Sequence, residues 1–327
     1  MLSALSLPNP SDVLDGVLEA SIIGSFTRLG PAARSRLRNW DPIDADLTDR
    51  QVVVTGGSSG LGRETARHLV ELGATVHVTS RSRDRAEEAA ADINRSTSGP
   101  GTAKGLPLDV ADFDSIHAFI TELQSATSEL HVLIHNAGAL TDEFQTNDNG
   151  MEMTLATHLV GPYAMTTLLR PHLAAGAKVL WMSSGGMYTQ QLDVAKLEMQ
   201  PGDYRGAVAY ARAKRAQVEL VTHLAPQWAP EVVMASVHPG WVDTDGVSQG
   251  LPGFGKVMGP LLRTVAEGAD TMVWLAAGGA DDAAPGQFWH DRAPRSTVYV
   301  PGTGTDDAER TRLLEWLDLQ SLPAHVE

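Results

Sequence analysis

The sequence predicts an α/β protein in which a mostly parallel sheet lies between layers of helices. From Gln51 onward, short β-branched apolar runs alternate with longer stretches of helical periodicity, which is typical of repeated βαβ units. A glycine-rich turn directly follows the first of these runs and precedes a helical pattern. A chain of 327 residues with 43% hydrophobic content can bury the core that such a domain needs.

Short apolar runs are the predicted strands, and the longer periodic stretches between them are the predicted helices. The strands are Val52–Thr55, Thr75–Thr79, Gly105–Leu108, Val132–His135, Val179–Ser183, Val232–Val237 and Gln287–Trp289. The helices include Leu61–Leu72, Arg83–Ile93, Asp112–Gln124, Met151–Leu173 and Val208–Gln227. Because βαβ crossovers are right-handed and place helices on both faces of the sheet, these elements predict a three-layer, doubly wound fold of the Rossmann type.

The two ends of the chain read as additions to one main domain. We predict a helical extension over residues 1–47 that packs on a main domain at 48–304, and a C-terminal helix and tail at 305–327. The only charges in Val13–Phe26, an amphipathic helix candidate, are acidic, which favours packing on its own domain over a membrane surface. The segment Trp241–Leu262 has the composition of a mobile loop beside a functional site.

Composition narrows the possible classes of function. A net charge of -15 disfavours polyphosphate partners such as nucleic acids. The chain has no cysteine, which excludes a disulfide framework, a thiol nucleophile and a thiolate metal site, and no metal is expected. Since neither a signal-peptide pattern nor a run of ~20 apolar residues is present, we expect a cytoplasmic protein without an integral membrane span.

The segment between the first strand and the first helix, Thr55-Gly56-Gly57-Ser58-Ser59-Gly60-Leu61-Gly62, has the spacing of a dinucleotide-binding turn. Gly56 permits the tight turn, Gly60 lets the backbone approach a pyrophosphate at the helix N-terminus, and Gly62 permits close helix packing. The predicted cofactor contacts in this turn are Gly56, Ser58, Ser59, Gly60, Leu61 and Gly62. The alternative is a structural turn that binds no ligand.

The end of the second strand bears on the choice of cofactor. Arg81 follows Gly56 by 25 residues, where a dinucleotide fold places the residue that reads the adenosine ribose. A carboxylate there would bind the 2′-hydroxyl of NAD, whereas a guanidinium suits the 2′-phosphate of NADP. We therefore predict NADP(H), with Arg63 as a second phosphate ligand. The alternative is that Arg81 is a solvated surface arginine.

Tyr210 is the only one of the five tyrosines that is followed by a lysine four residues later, Lys214. On a helix this spacing places the two side chains on one face. A phenol with a reference pKa of about 10 is a poor base at neutral pH, and an adjacent ammonium favours the phenolate. The pair is therefore a candidate proton-transfer unit. The alternative is a tyrosine packed at a helix surface beside a solvated lysine.

These motifs occur in the order found in the classical short-chain dehydrogenase/reductase (SDR) family, which the sequence resembles from about Gln51 to Trp289. The other matching motifs are Leu108-Asp109-Val110, Asn136-Ala137-Gly138, Ser183-Ser184 and His238-Pro239-Gly240-Trp241-Val242-Asp243-Thr244. The resemblance implies that Asp109 and Val110 contact the adenine. It also implies that the segment from Asn136 to Gly138, which includes Ala137, lines the cofactor and the central strand, although asparagine is also common as a plain turn residue.

The resemblance further implies the chemical roles of the site residues. Ser184 would hold the substrate's carbonyl oxygen, Tyr210 would exchange its proton, and Lys214 would bind the nicotinamide ribose and lower the pKa of the tyrosine. Val242 and Thr244 would hold the nicotinamide carboxamide. The other implied cofactor contacts in this last motif are Pro239 and Gly240.

One position departs from the family's pattern. The family's catalytic asparagine, on the helix after the fourth strand, corresponds to His158. In the family the proton relay runs from the lysine through a water at that asparagine's backbone carbonyl. Because Pro162 has no N–H, the carbonyl of His158 lacks its intrahelical donor, and we hypothesise that it keeps the relay water. The alternative is a helical histidine with no catalytic part.

A second departure is the long interval between Ser184 and Tyr210. We expect its apolar residues either to wall an apolar substrate pocket or to belong to a surface insertion. Those residues are Met187, Tyr188, Leu192 and Met199.

The resemblance implies an oxidoreductase that interconverts a carbonyl and an alcohol, with homo-oligomers common in the family. Together with Arg81 and the apolar interval before Tyr210, it predicts an NADP(H)-dependent enzyme of a hydrophobic small molecule. One alternative is a non-catalytic NADP(H)-binding sensor or scaffold, for which His158 would be a sign of decayed chemistry. Another is a lyase or epimerase on the same fold, which would favour a GxxGxxG turn over the GxxxGxG of this chain.

Overall fold

The computed structural model describes residues 10–138, 140–243, 258–280 and 283–321. Its strands are β1 Gln51–Val54, β2 Thr75–Ser80, β3 Thr102–Pro107, β4 Leu130–His135, β5 Leu173–Met182, β6 Val232–Val237, β7 Phe288–His290 and β8 Ala293–Pro294. They form one eight-stranded sheet in the order β3-β2-β1-β4-β5-β6-β7-β8 within these residues. All neighbours pair in parallel except β7 and β8, which are antiparallel. The predicted α/β fold of the Rossmann type is confirmed.

The strand that sequence reasoning missed is β8, whose two residues are too few to carry a hydrophobic pattern. It forms because the chain reverses sharply after β7. Asp291 and Arg292 both adopt a left-handed backbone conformation with φ 52°. This reversal places Asp291 in the protein interior, where it becomes important for the site.

The helices lie on both faces of the sheet. They are α1 Pro10–Ala20, α2 Ile22–Phe26, α3 Leu29–Leu37, α4 Gly60–Glu71, α5 Arg83–Ser96, α6 Phe113–Ala126, α7 Met153–Leu155, α8 Gly161–Leu169, α9 Gly206–Trp228, α10 Val265–Ala276 and α11 Asp307–Ser321. Short 3₁₀ turns lie at Arg170–His172, Gly185–Thr189, Val194–Lys196 and Gly259–Leu261, and a π-helical turn at Ala156–Val160. None of the helices in the described residues is long and apolar enough to cross a bilayer.

The helical stretch predicted over Met151–Leu173 is helical from Met153 to His172, but it is not one regular α-helix. The chain instead forms α7, the π-helical turn and α8, and the strand β5 already begins at Leu173. Pro162 accounts for the irregularity, because a proline inside a helix removes one backbone donor and crowds the preceding turn. The break lies beside the candidate catalytic residues, where π-helical turns are often found.

Alternate residues of β1 contribute to two separate cores. Val52 and Val54 pack with residues of α4, α5 and α10, whereas Val53 packs on the other side with residues of α6, α8 and α9. This is the period of two that a strand imposes on a sheet buried on both faces. The C-terminal helix α11 adds Leu313 and Leu317 to the second core, where both are fully buried.

The N-terminal residues form three short helices rather than the single helix predicted over Val13–Phe26. The break falls at Ser21, whose Oγ accepts a 3.0 Å hydrogen bond from the Gly24 backbone and caps α2. Arg34 of α3 is fully buried and binds Asp291 beyond β7, so these helices are attached to the far end of the sheet. The division of the chain at residues 47 and 304 stays a prediction.

Candidate active site

The glycine turn between β1 and α4 has the close approaches that its spacing predicts. Gly56 has φ +62°, and a Cβ there would lie 2.9 Å from the Cα of Ala137. A Cβ on Gly62 would lie 2.4 Å from Nδ2 of Asn136. Both contacts are closer than a side chain tolerates, so glycine is required where the turn meets the end of β4.

Asn136 holds the turn in place. Its Nδ2 donates a 2.9 Å hydrogen bond to the carbonyl of Thr55, and Oγ1 of Thr55 accepts 3.0 Å bonds from the backbone N–H groups of Asn136 and Ala137. These contacts support the alternative in which Asn136 has a structural role in the turn. Asn136 shapes the surface that a cofactor would meet.

The start of α4 is available to an anion. Ser59 is the N-cap residue, but its side chain makes no capping hydrogen bond, and Gly60 has φ 52°. Ser59, Gly60 and Arg63 are exposed, while Ser58 and Leu61 are partly buried. A helix N-terminus with no side-chain cap is suited to a phosphate group.

The two arginines predicted to bind phosphate differ in their surroundings. Arg81 is exposed just after β2 and makes no ion pair with any described residue. Arg63 instead lies 3.2 Å from the carboxylate of Asp92 in an exposed pair. Arg81 is thus the better candidate for a ligand phosphate, because Arg63 already has a counter-charge.

Beyond β3, Asp109 and Val110 lie at the same edge of the sheet. Oδ1 of Asp109 accepts a 2.9 Å hydrogen bond from the N–H of Ala111, and Ser115 Oγ accepts one of 2.9 Å from the N–H of Asp109. Val110 is buried, and a Cβ on Gly161 would lie 1.7 Å from its carbonyl oxygen. These bonds fix the backbone where the adenine contact is predicted.

Ser184, Tyr210 and Lys214 come together where β5 ends beside α9. Lys214 Nζ donates a 2.6 Å hydrogen bond to the carbonyl of Met182, and Ser183 Oγ donates one of 3.1 Å to the carbonyl of Lys214. These two bonds attach the strand end to the helix. The Lys214 ammonium lies 5.5 Å from the centroid of the Tyr210 ring.

The protonation of this group follows from its burial. Burial raises the pKa of Tyr210 above its ordinary value, and a hydrogen bond with Ser184 partly opposes that rise. Burial also lowers the pKa of Lys214 to about 7. We expected the lysine to lower the pKa of the tyrosine, but burial of the phenol has the larger effect. Tyr210 is therefore protonated at neutral pH and can donate a proton.

His158 lies inside this group. It is 1% exposed, and its ring is perpendicular to that of Tyr210 at a centroid distance of 5.2 Å. A Cβ on Gly138 would lie 2.2 Å from the Cε1 atom of His158. The histidine ring thus occupies the space beside the Gly138 backbone and packs against the candidate proton donor.

The carbonyl of His158 has a donor from another helix, and the hypothesis that it also keeps the relay water stays a prediction. Gln217 Nε2 donates a 2.5 Å hydrogen bond to it and replaces the donor that Pro162 cannot supply. Oε1 of Gln217 is buried and has no donor among the described residues. Sequence reasoning missed Gln217, although it follows Lys214 by three residues on the same helix face.

The loop after β6 is shaped by Arg263. Gly240 has φ +82°, and a Cβ there would lie 2.1 Å from Nε of Arg263, whose Nη1 also donates 3.3 Å to the carbonyl of Pro239. Val242 is 2% exposed and pairs with Arg263 through a short parallel bridge. The predicted carboxamide contact Thr244 lies outside the described residues.

A buried charge cluster, not predicted from the sequence, joins this loop to the N-terminal helices. Arg263 Nη1 and Arg34 Nη1 both lie 2.6 Å from the carboxylate of Asp291. Arg34 also binds Asp15 at 2.7 Å and Glu19 at 2.5 Å. Burial alone would raise the pKa of Asp15, but hydrogen bonds from Arg295 and Arg34 lower it to about 2.

Phe26 of α2 completes this side of the site. Its carbonyl accepts hydrogen bonds from the N–H of Trp241 at 2.7 Å and from Nε of Arg263 at 3.1 Å. Its ring packs edge-on with His238, and a Cβ on Gly185 would lie 2.7 Å from it. The N-terminal helices therefore contact both the loop after β6 and the residue next to Ser184.

The long interval between Ser184 and Tyr210 is packed into the protein. Met187 and Tyr188 form a small core with Phe26, and Leu192 belongs to the larger core beside α9. Met199 is 9% exposed. These side chains are thus packed inside the protein rather than in a surface insertion, and the expectation that they wall an apolar substrate pocket stays a prediction.

The residues present fit a dinucleotide. The cradle at Gly56 and Gly62 would be filled by any Cβ, the start of α4 has no side-chain cap, and the exposed Arg81 has no counter-charge among the described residues. Within the same residues, no group of His, Asp or Glu side chains could hold a metal ion.

Comparison with known proteins establishes the class. Residues 50–251 match the family model described as short chain dehydrogenase. The chain belongs to the short-chain dehydrogenase/reductase family. Its members are oxidoreductases that bind a nicotinamide cofactor and act on carbonyl or alcohol groups of small molecules.

Individual relatives show which members of the family the chain is similar to. The chain is 37% identical to dehydrogenase/reductase SDR family member 12 of Homo sapiens, over 84% of this chain and 87% of the relative. It is 31% identical to polyprenol dehydrogenase of Mus musculus, over 83% and 84%. An uncharacterized protein of Mycobacterium paratuberculosis has the same fold, with a TM-score of 0.67 at 24% identity over 86% of this chain and 97% of that one.

The likeness to family member 12 also appears in short motifs of the sequence. Two segments of the sequence predict this likeness, namely Ser183-Ser184-Gly185-Gly186-Met187 and His238-Pro239-Gly240-Trp241. The relatives found confirm the prediction.

Proposed function

We propose that the protein is an NADP(H)-dependent oxidoreductase that interconverts a carbonyl and an alcohol on a hydrophobic small molecule. The observation that carries the proposal is the meeting of Ser184, Tyr210 and Lys214 at the end of β5, on the same edge of the sheet as the glycine turn. Ligands of doubly wound sheets bind at this carboxyl edge.

The chemistry assigned to these residues is a proton transfer beside a hydride transfer. When bound, the nicotinamide supplies or accepts the hydride. In the reducing direction, Ser184 and Tyr210 bind the carbonyl oxygen, and the phenolic proton of Tyr210 passes to that oxygen as the new C–H bond forms. The phenolate that results is close to Lys214, whose lowered pKa suits it to return a proton near neutral pH.

A preference for NADP(H) is supported by Arg81. An exposed guanidinium without a counter-charge among the described residues, at the end of β2, suits a 2′-phosphate. The other predicted phosphate ligand, Arg63, is paired with Asp92 and contributes less to this argument.

A hydrophobic substrate is supported by the aromatic residues beside Ser184 and by one relative. Phe26 lies against Gly185 and packs with Trp241 at a ring-centroid distance of 5.7 Å. The mouse relative named polyprenol dehydrogenase is, by its name, an enzyme of a long apolar alcohol. We infer an apolar carbonyl or alcohol for this chain.

The test is Tyr210→Phe, assayed with a panel of carbonyl compounds of increasing apolar chain length. We expect NADPH binding, followed by its fluorescence, to be unchanged and turnover to fall by at least about a hundredfold, since a general acid is typically worth 10²–10⁴-fold. Tyr163→Phe is the matched control and should keep turnover, because the hydroxyl of Tyr163 donates its hydrogen bond to Asp318 of α11.

Retained turnover in Tyr210→Phe would overturn the assignment. Tight NADPH binding by the unaltered protein without turnover of any compound, in either direction, would favour the non-catalytic sensor.

A further inference from the structure

Helix α1 differs from an ordinary surface helix because it buries a charged side chain and exposes apolar ones. Its acidic residue Asp15 is 2% exposed and bound to Arg34, whereas Val13, Leu14 and Val17 are 49%, 51% and 64% exposed. In an ordinary surface helix, charged side chains face outward and apolar side chains face inward. Asp15 and most of Glu19 are therefore paired inside the protein, Asp12 stays exposed beside Arg38, and the apolar face is presented outward.

The exposed apolar residues of α1 belong to a larger surface. Of the eleven large apolar side chains exposed in the described residues, nine lie within residues 13–29 and 298–300. The two segments are joined by Tyr299, whose hydroxyl donates a 2.5 Å hydrogen bond to Glu19. We call this the N-terminal apolar surface; it comprises Val13, Leu14, Val17, Ile22, Ile23, Leu29, Val298, Tyr299 and Val300. Such a concentration of apolar groups on a protein exterior marks an interaction site.

This surface borders the candidate active site. Ile22 and Ile23 are on the same short helix as Phe26, whose ring lies against Gly185. The ring centroid of Tyr299 is 4.6 Å from that of Tyr188, in the 3₁₀ turn that follows Ser184. Whatever binds the N-terminal apolar surface therefore lies next to the site of reaction.

Charge indicates what binds there. Residues 1–40 carry three acidic and four basic side chains, while the rest of the chain has a net charge of -16. The acidic Asp15 is turned inward. Arg28 and Arg36 are exposed and make no ion pair with a described residue. An apolar surface flanked by free cations is the pattern of a segment that lies in the interface of an anionic bilayer.

We propose that the N-terminal apolar surface docks the protein on an anionic lipid bilayer, with the candidate active site facing the membrane. The like-charged arginines argue against a second copy of the chain, because a two-fold contact would gather Arg28 and Arg36 of both copies in one interface, where they repel. The docking surface is independent of the reaction. Only the entry of an apolar substrate from the bilayer rests on the proposed function.

The experiment is co-sedimentation of the full-length protein with phosphatidylcholine vesicles, with and without phosphatidylglycerol. We expect binding to the anionic vesicles and much weaker binding to the neutral ones. The double variant Val17→Glu with Ile22→Glu should bind the anionic vesicles at least about tenfold more weakly, because each change puts a charge where an apolar group met the bilayer. Leu319→Glu, at a 70% exposed leucine of α11, is the matched control and should bind like the unaltered protein.

A second pair of variants tests the charge. Arg28→Ser with Arg36→Ser should lose the preference for anionic vesicles but keep the weak binding to neutral ones, since the apolar groups are unchanged. All variants should reduce a water-soluble carbonyl at the unaltered rate.

The proposal is wrong if the unaltered protein does not sediment with anionic vesicles, or if the double glutamate variant binds as well as Leu319→Glu. A dimer in size-exclusion chromatography that the glutamates dissociate, without vesicle binding, would assign the surface to a second copy instead. Because sedimentation needs no turnover, its failure is distinct from failure of the proposed reaction.

Discussion

At the scale of single residues, the site's most unusual member is His158. The family's asparagine is absent, yet the backbone carbonyl at this position has a donor in Gln217 and the ring packs on Tyr210. We therefore hypothesise that the role of this position depends on its backbone carbonyl. The free acceptor Oε1 of Gln217 gives the site another polar atom beside the candidate relay.

His158→Asn should therefore change turnover only modestly. The backbone carbonyl and its bond from Gln217 stay in place, and asparagine fits where the larger ring now lies. Steady-state kcat with NADPH is the measurement. A gain or loss beyond about a hundredfold would mean that the imidazole itself moves a proton.

Arg81→Glu should change the cofactor preference from NADPH to NADH. Removing a charge-assisted bond to a 2′-phosphate costs about 1.5–3 kcal/mol, so the KM for NADPH should rise roughly tenfold to a hundredfold while that for NADH does not. Arg85→Glu is the control, because it makes the same charge change at another exposed arginine without an ion pair to a described residue. Equal effects of both variants on the KM for NADPH would remove the specific role of Arg81.

At the scale of elements, the buried cluster around Asp291 connects α1, α3, the loop after β6 and the turn after β7. Arg34 pairs with three carboxylates at once, those of Asp15, Glu19 and Asp291, and Arg263 and Arg295 supply further positive charge. Removing one partner of a buried ion pair is far more costly than removing an exposed one, because the remaining charge is left without compensation. Arg34 is thus the one described residue that pairs with all three carboxylates, while Arg263 and Arg295 also bind the N-terminal helices.

Arg34→Met should lower the free energy of unfolding by about 3–5 kcal/mol, measured by urea denaturation. The KM for the cofactor should rise as well, since the same cluster positions Arg263 against Gly240. Arg36→Met, on the same helix but exposed, is the control and should stay within about 0.5 kcal/mol of the unaltered protein. A small effect of Arg34→Met would show that the carboxylates find other partners.

The sequence predicts the elements whose signals are local and misses those that depend on distant partners. The strand β1 reads directly from Val52 to Val54, because both faces of a central strand are buried and demand apolar residues. The glycine turn is equally local. By contrast, Arg34 and Asp291 are separated by 257 residues, and nothing in the pattern around either residue indicates the other. Gln217 was missed for a similar reason, since its partner lies on another helix.

At the scale of the whole molecule, buried histidines connect stability to pH. Burial lowers the pKa of His77 to about 4, with a smaller effect from Lys104, and that of His135 to about 3. Both are neutral in the folded protein, whereas in the unfolded chain they take up a proton near pH 6.5. Their contribution to stability is therefore complete above about pH 6.5 and is lost as the pH falls toward about 4.

We expect the free energy of unfolding to fall between about pH 7 and about pH 5, as measured by urea denaturation at each pH. His135→Gln should make this dependence shallower, because one group that gains a proton only on unfolding has been removed. His117→Gln, at an exposed histidine of α6, should leave the slope unchanged. If His135→Gln and His117→Gln gave the same slope, the burial of His135 would not be the cause.

The ion pair between Arg34 and Asp291 can form only late in synthesis, because Asp291 follows Arg34 by 257 residues. At roughly 5–20 residues per second, the carboxylate needed by Arg34 follows it from the ribosome about 15–50 s later. Until then α1 and α3 have left the ribosome without the charge that fastens them, and the outward valines of α1 have no attached fold behind them. A nascent chain of this protein therefore carries α1 as an unattached apolar segment for most of its synthesis. During that time the segment is accessible to a chaperone or a lipid surface.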